Sequence, residues 1–307
     1  MLARYQVHLS LLSAILLCFI FRLNAQEQKP QVPVFKVDVD TVYLKVAITD
    51  PFNRYVTGLE KEDFQVYEDN VRQTISHFSQ ESAPVSVGIL FDISGSMGFS
   101  RNMVIGKDWL KQFLASHFLN PRNPDDEFFL ITFNKTVNLV EALESTDVQN
   151  DVALQKPGGW TALYDAVYRG IDHVKRGRNE KKALILITDG EENSSRYKLS
   201  DIKDLCLESD VQVYAVGFLG PEGYGSPVLS QIANLSGGRA FFRSNVIQYD
   251  QFDLINAELR NQYLLGYVPT NTVRDGKWRQ VKVKLDAPRG FPKMTIRTKP
   301  GYFSAKF

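Results

Sequence analysis

The hydrophobic pattern is densest in the middle of the chain, where short apolar runs alternate with amphipathic segments. Residues 85–91 form a nearly unbroken apolar run, and residues 183–187 and 211–216 form two more. Runs of this length are typical of strands buried on both faces of a parallel sheet. Between them, residues 163–174 place apolar side chains at helical spacing. The pattern predicts a Rossmann-like α/β domain with a mostly parallel central sheet and helices on both faces.

The same periodicity predicts the remaining elements of this central domain. Further helices are expected over residues 103–118, 200–208, 228–235 and 251–262, and further strands over 128–133, 137–143 and 241–242. The strand over 137–143 is short, so we expect it at an edge of the sheet. The helix over 200–208 is expected to begin with Ser200 or Asp201 as its cap, because both side chains can accept a hydrogen bond from a free backbone N–H.

Segments on either side of the central domain alternate apolar and polar residues, which indicates strands with one buried face. On the amino-terminal side these are residues 35–48 and a hairpin over 64–78. On the other side they are residues 263–268, 278–285 and 294–298. A segment of about 50 residues is marginal as an independent core. Two arrangements remain open: the flanks close one β-sandwich, or they form two separate β extensions.

The first 25 residues have the pattern of a secretory signal. Arg4 supplies a positive charge, residues 9–21 an apolar core, and Ala25 a small residue at a cleavage point. The apolar run is shorter than the roughly 20 residues that a membrane span requires. We therefore predict export to the periplasm or beyond, with no stable membrane span after cleavage and a polar linker over 26–34. An uncleaved amino-terminal anchor is the alternative.

Composition adds limits on partners and redox chemistry. The chain is 44% hydrophobic and 23% charged with a formal net charge of +1, which suits a sizeable soluble core. No basic patch with interleaved aromatic residues is present in the sequence, which argues against a nucleic-acid partner. After removal of the signal, Cys206 is the one remaining thiol, so no internal disulfide is expected. Its apolar neighbours favour a buried helical cysteine.

Candidate chemistry lies where the first central strand ends. Asp92 follows the apolar run, and Ser94 and Ser96 come next, while Gly95 and Gly98 allow the backbone to turn sharply. One carboxylate and two hydroxyls therefore share one loop. Oxygen ligands suit a hard divalent cation, Mg²⁺ or Mn²⁺, and the absence of Cys or His from this stretch argues against zinc.

The sequence Asp-Ile-Ser-Gly-Ser over residues 92–96 resembles the metal-ion-dependent adhesion site of von Willebrand factor type A domains, in which three loops meet at one cation. The resemblance extends to a threonine after the Gly158-Gly159 pair and to an aspartate after the run over 183–187. In that family the serines and the threonine coordinate the cation directly or through water, and the aspartates act largely through bound water. The resemblance implies a metal site made of Asp92, Ser94, Ser96, Thr161 and Asp189.

The resemblance also implies a function. Mg²⁺ held by mostly neutral ligands keeps a coordination position that a carboxylate can fill. We therefore expect an exported, adhesion-type module whose cation captures an acidic group of a protein or peptide partner. A structural cell-envelope component, whose metal site serves stability only, is the alternative. The β flanks resemble those of exported acidobacterial-type von Willebrand factor A-related proteins, which extends the resemblance over nearly the whole mature chain.

An enzymatic function is disfavoured by the same loop. A hydrolase nucleophile at Ser96 requires glycine two residues earlier, where this chain has Ser94. The three histidines that follow the predicted signal all precede the third loop, so the order of serine, acid and histidine fails. Ser94 also occupies the place of the second aspartate expected in an aspartyl phosphotransferase. We predict that the protein is not an enzyme.

These observations divide the chain into five predicted parts. They are a signal over 1–25, a linker over 26–34, an amino-terminal β segment over 35–83, the central domain over 84–256, and a carboxyl-terminal helix end with a β segment over 257–307. Three acidic residues near the metal loops are expected to support the site or to lie on the surface: Asp165, Glu191 and Glu192.

Overall fold

The central sheet and its flanks are seen in a computed structural model of the chain. It describes residues 41–80, 83–98, 102–114, 123–140, 155–218, 226–243, 250–286 and 293–306. The predicted signal over 1–25, the linker over 26–34 and the strand residues before 41 lie outside the described residues, as do the ends of two predicted elements at 115–118 and 141–143. Among the helices that are described, none has the length and apolar character needed to cross a membrane.

Six of the described strands form the central sheet in the order β10-β9-β8-β5-β6-β7. They are β5 (Val85–Asp92), β6 (Glu127–Phe133), β7 (Val137–Val140), β8 (Lys181–Thr188), β9 (Val211–Phe218) and β10 (Ala240–Arg243). All neighbours are parallel except β6 and β7, which are antiparallel. Every residue of β5 and of β9 is buried, as the continuous apolar runs predicted. The mostly parallel sheet and the edge position of β7 are confirmed.

Within the part of the chain that the structure describes, five helices cover the two faces of this sheet. They are α1 (Asn102–Leu114), α2 (Leu163–Val174), α3 (Leu199–Glu208), α4 (Ser226–Leu235) and α5 (Asp250–Arg260). Leu110 of α1 and Leu259 of α5 belong to one apolar cluster. Val167 of α2, Ile202 of α3 and Ile232 of α4 belong to a second cluster. Burial of each such side chain contributes about 1.5–3 kcal/mol, so both faces stabilise the domain.

The start of α3 differs from the prediction. The helix begins at Leu199 and its N-cap is Lys198, so neither Ser200 nor Asp201 is the cap. Asp201 lies in the first turn instead, and its Oδ2 accepts a hydrogen bond from the Lys198 N–H at 2.8 Å. A carboxylate there satisfies a free donor and interacts favourably with the helix dipole. Cys206 of α3 is buried as predicted, and burial raises the pKa of its thiol to about 12.

Strands from both ends of the chain form two further four-stranded sheets. The strands are β1 (Val42–Thr49), β2 (Phe64–Glu68), β3 (Val71–Gln73), β4 (Ile75–Ser79), β11 (Tyr263–Tyr267), β12 (Trp278–Leu285), β13 (Thr295–Arg297) and β14 (Gly301–Phe303). Their orders are β13-β1-β11-β4 and β14-β12-β2-β3. Leu44 and Leu265 of the first sheet share a core with Val66 and Val283 of the second. The flanks therefore form one β-sandwich, and separate extensions are excluded.

The amino-terminal hairpin covers fewer residues than the predicted range of 64–78. β2 and β3 pair antiparallel around Asp69 and Asn70, whose φ angles of 47° and 67° are both positive. Two positive φ angles in a two-residue loop match the twist of paired strands. β4 leaves this hairpin and pairs with β11 in the other sheet. β14, with only three residues, was not predicted.

A buried carboxylate joins the last central helix to the sandwich. Glu258 of α5 is fully buried and accepts hydrogen bonds from the Tyr55 hydroxyl at 2.9 Å and the Tyr214 hydroxyl at 3.2 Å. Arg297 of β13 donates to the same carboxylate from Nη2 at 2.9 Å. One side chain thus ties the central domain to segments from both ends of the chain.

Candidate metal centre

The carboxyl edge of the parallel sheet brings two of the three predicted loops together. β5 and β8 are neighbours in parallel register, with Phe91 opposite Ile187. Asp92 is therefore level with Thr188, and Asp189 follows directly after β8. In open α/β sheets ligands bind at this edge, where the loops leave the strands.

Asp92 is held from two sides. Its Oδ1 accepts a hydrogen bond from the Ser94 N–H at 2.8 Å, and its Oδ2 accepts one from the Thr188 hydroxyl at 2.6 Å. The side chain is fully buried. Burial above all, together with the nearby charge of Asp189, raises its pKa to about 7, although the hydrogen bonds from Ser94 and Thr188 oppose this shift. The ionised form of Asp92 is therefore costly unless a cation lies close to it.

Side chains link Asp92's loop to Asp189. The Ser94 and Ser96 hydroxyl oxygens lie 3.1 Å apart. Ser96 also donates to the Asp189 carboxylate, whose Oδ1 accepts the Glu191 N–H at 3.3 Å. Burial raises the pKa of Asp189 as well. Contacts between side chains, or between a side chain and the backbone, thus connect four of the five predicted site residues.

Backbone contacts place the loop of Thr161 against the other two. The Gly95 N–H donates to the Gly159 carbonyl at 3.0 Å, so the second loop rests on the first. The Thr161 N–H donates to Asn193 Oδ1 at 2.7 Å, so it also rests on the chain that follows Asp189. Thr161 is buried, and Ala162 is the N-cap of α2, so Thr161 does not cap this helix. All five predicted residues therefore lie in three mutually contacting loops.

Three residues that support these loops were not identified from the sequence. Thr188 holds the Asp92 side chain through a hydrogen bond. It could have been found from the sequence, because it directly follows a predicted parallel strand next to the strand that ends at Asp92. Asn134 donates from Nδ2 to the Gly158 carbonyl at 3.0 Å. Asn193, already described, is a third missed residue. No periodicity marks Asn134 or Asn193, because each acts across a loop contact that exists only in the folded chain.

The three nearby acidic residues have supporting or surface positions. Asp165 accepts the Arg196 N–H at 2.9 Å through Oδ1 and forms an ion pair with the Arg196 side chain. Glu192 accepts the Tyr164 N–H at 3.0 Å. Both carboxylates therefore bind the loop after Asp189 to the start of α2. Glu191 is exposed.

The donor set fits a hard divalent cation. No described lysine or arginine forms an ion pair with Asp92 or Asp189, although both carboxylates are buried. Two buried like charges are strongly disfavoured without a cation, and a divalent ion would balance both of them. Among the described residues, no group of three or more His, Cys, Asp or Glu side chains is placed to hold a metal ion. A site here therefore relies on hydroxyls in addition to the carboxylates, which suits Mg²⁺ or Mn²⁺.

An exposed aromatic side chain lies at the rim of these loops. Trp160 precedes Thr161 and exposes 66% of its surface. Tryptophan at this exposure is available for contact with a partner, and aromatic residues are enriched in protein interfaces. The sequence patterns did not single it out.

Comparison with known proteins gives one family and several distant similarities. The family model described as von Willebrand factor type A domain matches residues 86–257. An uncharacterized protein of Borreliella burgdorferi is 24% identical over 147 residues, which cover 44% of this chain and 41% of that protein. This chain therefore matches less than half the length of that relative.

Three solved structures illustrate the structural similarities. BatB from Bacteroides thetaiotaomicron is 17% identical with a TM-score of 0.45, covering 57% of this chain and 97% of that one. Proximal thread matrix protein 1 from the mussel byssus, with a zinc-occupied MIDAS motif, is 20% identical with a TM-score of 0.46. The match covers 62% of this chain and 49% of that one. A von Willebrand factor type A protein from Catenulispora acidiphila is 14% identical with a TM-score of 0.46. The match covers 87% of this chain and 75% of that one. Similarity at this level carries no information about the ligand of this chain.

Proposed function

Because the chain belongs to the von Willebrand factor type A domain family, we propose that it is an exported, metal-dependent binding module of the adhesion type. Domains of this family generally act in adhesion and protein interaction. The proposed cation is Mg²⁺ or Mn²⁺, and it captures an acidic group of a protein or peptide partner. Its proposed ligands are Asp92, Ser94, Ser96, Thr161 and Asp189.

One observation carries this proposal: Asp92 and Asp189 are buried together, and the described residues supply neither with a cationic partner. A bound divalent cation would supply the missing positive charge and a coordination position for an incoming carboxylate. Both oxygens of Asp92 already accept protein hydrogen bonds, which favours its action through water. The hydroxyl ligands are neutral, so they add no negative charge that would repel an acidic partner.

The described histidines support a binding function over hydrolysis. The His77 ring packs edge-on against Tyr43, with ring centres 5.7 Å apart. The His173 ring packs against Phe129 at 4.4 Å. Both aromatic partners belong to elements away from the metal loops, so neither histidine is placed to act as a base for Ser94 or Ser96.

A metal titration tests the cation. The full chain, stripped of metal, is titrated with MgCl₂ or MnCl₂ while its melting temperature is recorded. Stabilisation should follow RT ln(1 + [L]/Kd), or about 2.7 kcal/mol at a hundredfold excess over Kd. Asp92→Ala should abolish the shift, whereas Asp204→Ala on the exposed face of α3 should keep it. Identical melting of the unaltered chain across the whole titration would refute the metal site.

A capture experiment separates binding from a purely structural metal. An array of peptides with Asp or Glu is compared with matched Asn or Gln peptides, in Mg²⁺ and in chelator. The proposal expects capture that needs both the cation and the carboxylate. Metal-dependent melting without metal-dependent capture of any acidic peptide would instead support the structural cell-envelope component.

A further inference from the structure

A cavity of about 750 Å³ lies at the opposite edge of the central sheet. Its walls include Lys181 and Val211, the first residues of β8 and β9, and the outer face of the sandwich sheet that contains β1, β11 and β4. Asp189 comes after the other end of β8, which has eight residues. At about 3.3 Å per residue, roughly 25 Å separates this cavity from the candidate metal centre.

The register of strands β1, β11 and β4 determines which side chains line one wall of the cavity. Lys45 of β1 lies opposite Leu264 of β11, which in turn lies opposite Ser79 of β4. Neighbouring positions put Tyr43 and His77 on the same face, where their rings meet edge-on. The apolar core of the sandwich is on the other face, since strand residues alternate between faces. This wall therefore combines an ammonium, a hydroxyl, an imidazole and apolar surface.

Positive charge dominates the deeper part of the cavity. Its lining includes five lysines, which are Lys45, Lys175, Lys181, Lys182 and Lys299. The three lining carboxylates, which are Glu180, Glu208 and Asp210, are all exposed. Lys45, Lys181, Lys182 and Lys299 are more buried than these carboxylates. Cationic side chains therefore lie deeper in the cavity than anionic ones.

The contacts of Lys45 and Lys299 with Asp210 leave the charge of these two lysines only partly balanced. Lys299 Nζ forms an ion pair with Asp210 Oδ1 at 2.7 Å, and Lys45 Nζ donates to the Asp210 main-chain oxygen at 2.7 Å. A carbonyl oxygen carries no full charge, so Asp210 offers a single carboxylate to two lysines. Burial above all, together with the charges of Lys299, Lys181 and Lys182, lowers the pKa of Lys45 to about 8, and the charge of Asp210 opposes this shift.

Three lining residues also keep a side-chain oxygen without a hydrogen-bond partner among the described residues. They are Ser209 Oγ, Gln212 Oε1 and Gln262 Oε1. Each of these residues is at most 3% exposed. The amide nitrogens of Gln212 and Gln262 are engaged, with the Gly237 carbonyl and the Tyr214 hydroxyl respectively. Buried polar atoms in native proteins are nearly always satisfied, by protein, water or ligand.

We propose that this cavity binds a small molecule with a phosphate or carboxylate group. Lys45, Lys181 and Lys299 lie where they can surround the anionic group. The unsatisfied oxygens in the wall suit hydroxyl or N–H groups of the same molecule, directly or through water. The volume lies within the range of about 300–1,000 Å³ that small-molecule sites occupy. This site is independent of the proposed cation and of its protein partner.

Calorimetry on the full chain tests the proposal, in buffer freed of divalent cations so that no anion can bind through a metal. The probes are glucose 6-phosphate, gluconate and neutral glucose, at constant ionic strength. We expect saturable binding of at least one anionic probe and none of glucose; the responding probe identifies the preferred group. Lys45→Gln should weaken binding at least tenfold, and Lys282→Gln, an exposed lysine on β12, should leave it unchanged. Absence of saturable binding up to 10 mM (about 2.7 kcal/mol of binding free energy), or equal binding by Lys45→Gln, overturns the proposal.

Competitive acetylation supplies a readout that needs no variant to fold. Lysine labelling of the unaltered chain is quantified by mass spectrometry with and without the bound probe. Lys45 and Lys181 should be protected severalfold, and Lys282 should label equally in both samples. Unchanged labelling of Lys45 and Lys181 at saturating probe would place the molecule elsewhere and refute this cavity.

Discussion

Asp92 and Asp275 have pKa values displaced in opposite directions by their surroundings. Asp275 accepts the Lys277 N–H and the Ser304 hydroxyl, and these bonds lower its pKa to about 2. Asp92 also accepts hydrogen bonds, but burial outweighs them and raises its pKa to about 7. The charge of Asp275 is stabilised by the protein alone. The charge of Asp92 requires something further, and the proposed cation supplies it.

Thr161→Ala is the sharpest substitution at the residue scale. It removes one neutral ligand of the proposed cation but keeps the backbone bond from residue 161 to Asn193. We expect capture of an acidic peptide in Mg²⁺ to weaken at least tenfold, as it does in chelator. The free energy of unfolding without metal should fall by only about 1 kcal/mol. Binding is measured by calorimetry and stability by urea denaturation.

Thr49→Ala is the matched control for this substitution. Thr49 is as buried as Thr161, but it lies in β1 of the sandwich, where its hydroxyl accepts from Arg297 at 3.4 Å. We expect a similar small loss of stability with unchanged capture. If both variants capture the peptide as the unaltered chain does, Thr161 has no part in binding.

At the scale of elements, the position of α5 depends on Glu258. This carboxylate is fully buried, and Arg297, Tyr55 and Tyr214 all donate to it. Helix α5 belongs to the central domain, whereas Tyr55 and Arg297 precede and follow it in the chain. The contacts of Glu258 are therefore one of the connections that fix the sandwich to the central domain.

The substitution Glu258→Gln tests how much this connection contributes to the free energy of unfolding. The amide keeps the shape but loses the charge and presents an N–H₂ group to one of the three donors, so we expect a loss of about 2–3 kcal/mol in unfolding free energy. Urea denaturation gives the value. Glu62→Gln, at an exposed position, should change it by less than about 0.5 kcal/mol. Equal stability of the two variants would show that the buried ion pair contributes nothing net.

At the scale of the whole molecule, the two ends of the chain complete each other's sheets. β11 lies between β1 and β4, and β12 lies between β14 and β2. Neither flank contains a full sheet of its own among the described strands. The sandwich therefore needs strands that precede the central domain and strands that follow it. Its contacts join residues that are far apart in the sequence.

A fragment of residues 84–307 tests this dependence. It keeps every described strand of the central sheet but loses β1 to β4, so we expect β12 (Trp278–Leu285) to lose protection against amide exchange. Protection of β8 (Lys181–Thr188) should remain, and it serves as the internal control. Hydrogen exchange measured by mass spectrometry reports both. Full protection of β12 in the fragment would show that the carboxyl-terminal strands fold without their partners.

Local pattern determined a large part of this protein. The apolar runs over 85–91, 183–187 and 211–216 predicted buried parallel strands, and the structure confirms them. Asp92, Ser94 and Ser96 follow from the residue types after one strand, Thr161 and Asp189 are added by the family resemblance, and the structure brings their loops together. Their role in holding a metal, the export of the chain and the domain boundaries stay predictions. Periodicity and short motifs are local properties, so one sequence suffices to recognise them.

Tertiary structure alone decided which distant segments meet. The pairing of β1 with β11 and of β2 with β12 depends on apolar faces buried jointly by remote strands, and no local period encodes a partner. The same holds for the contact of Thr188 with Asp92 and of Asn193 with Thr161. It holds most clearly for the lysine-lined cavity, whose side chains come from separate strands, loops and a helix end. Each lysine is unremarkable as a solvated side chain, and only folding concentrates their charge.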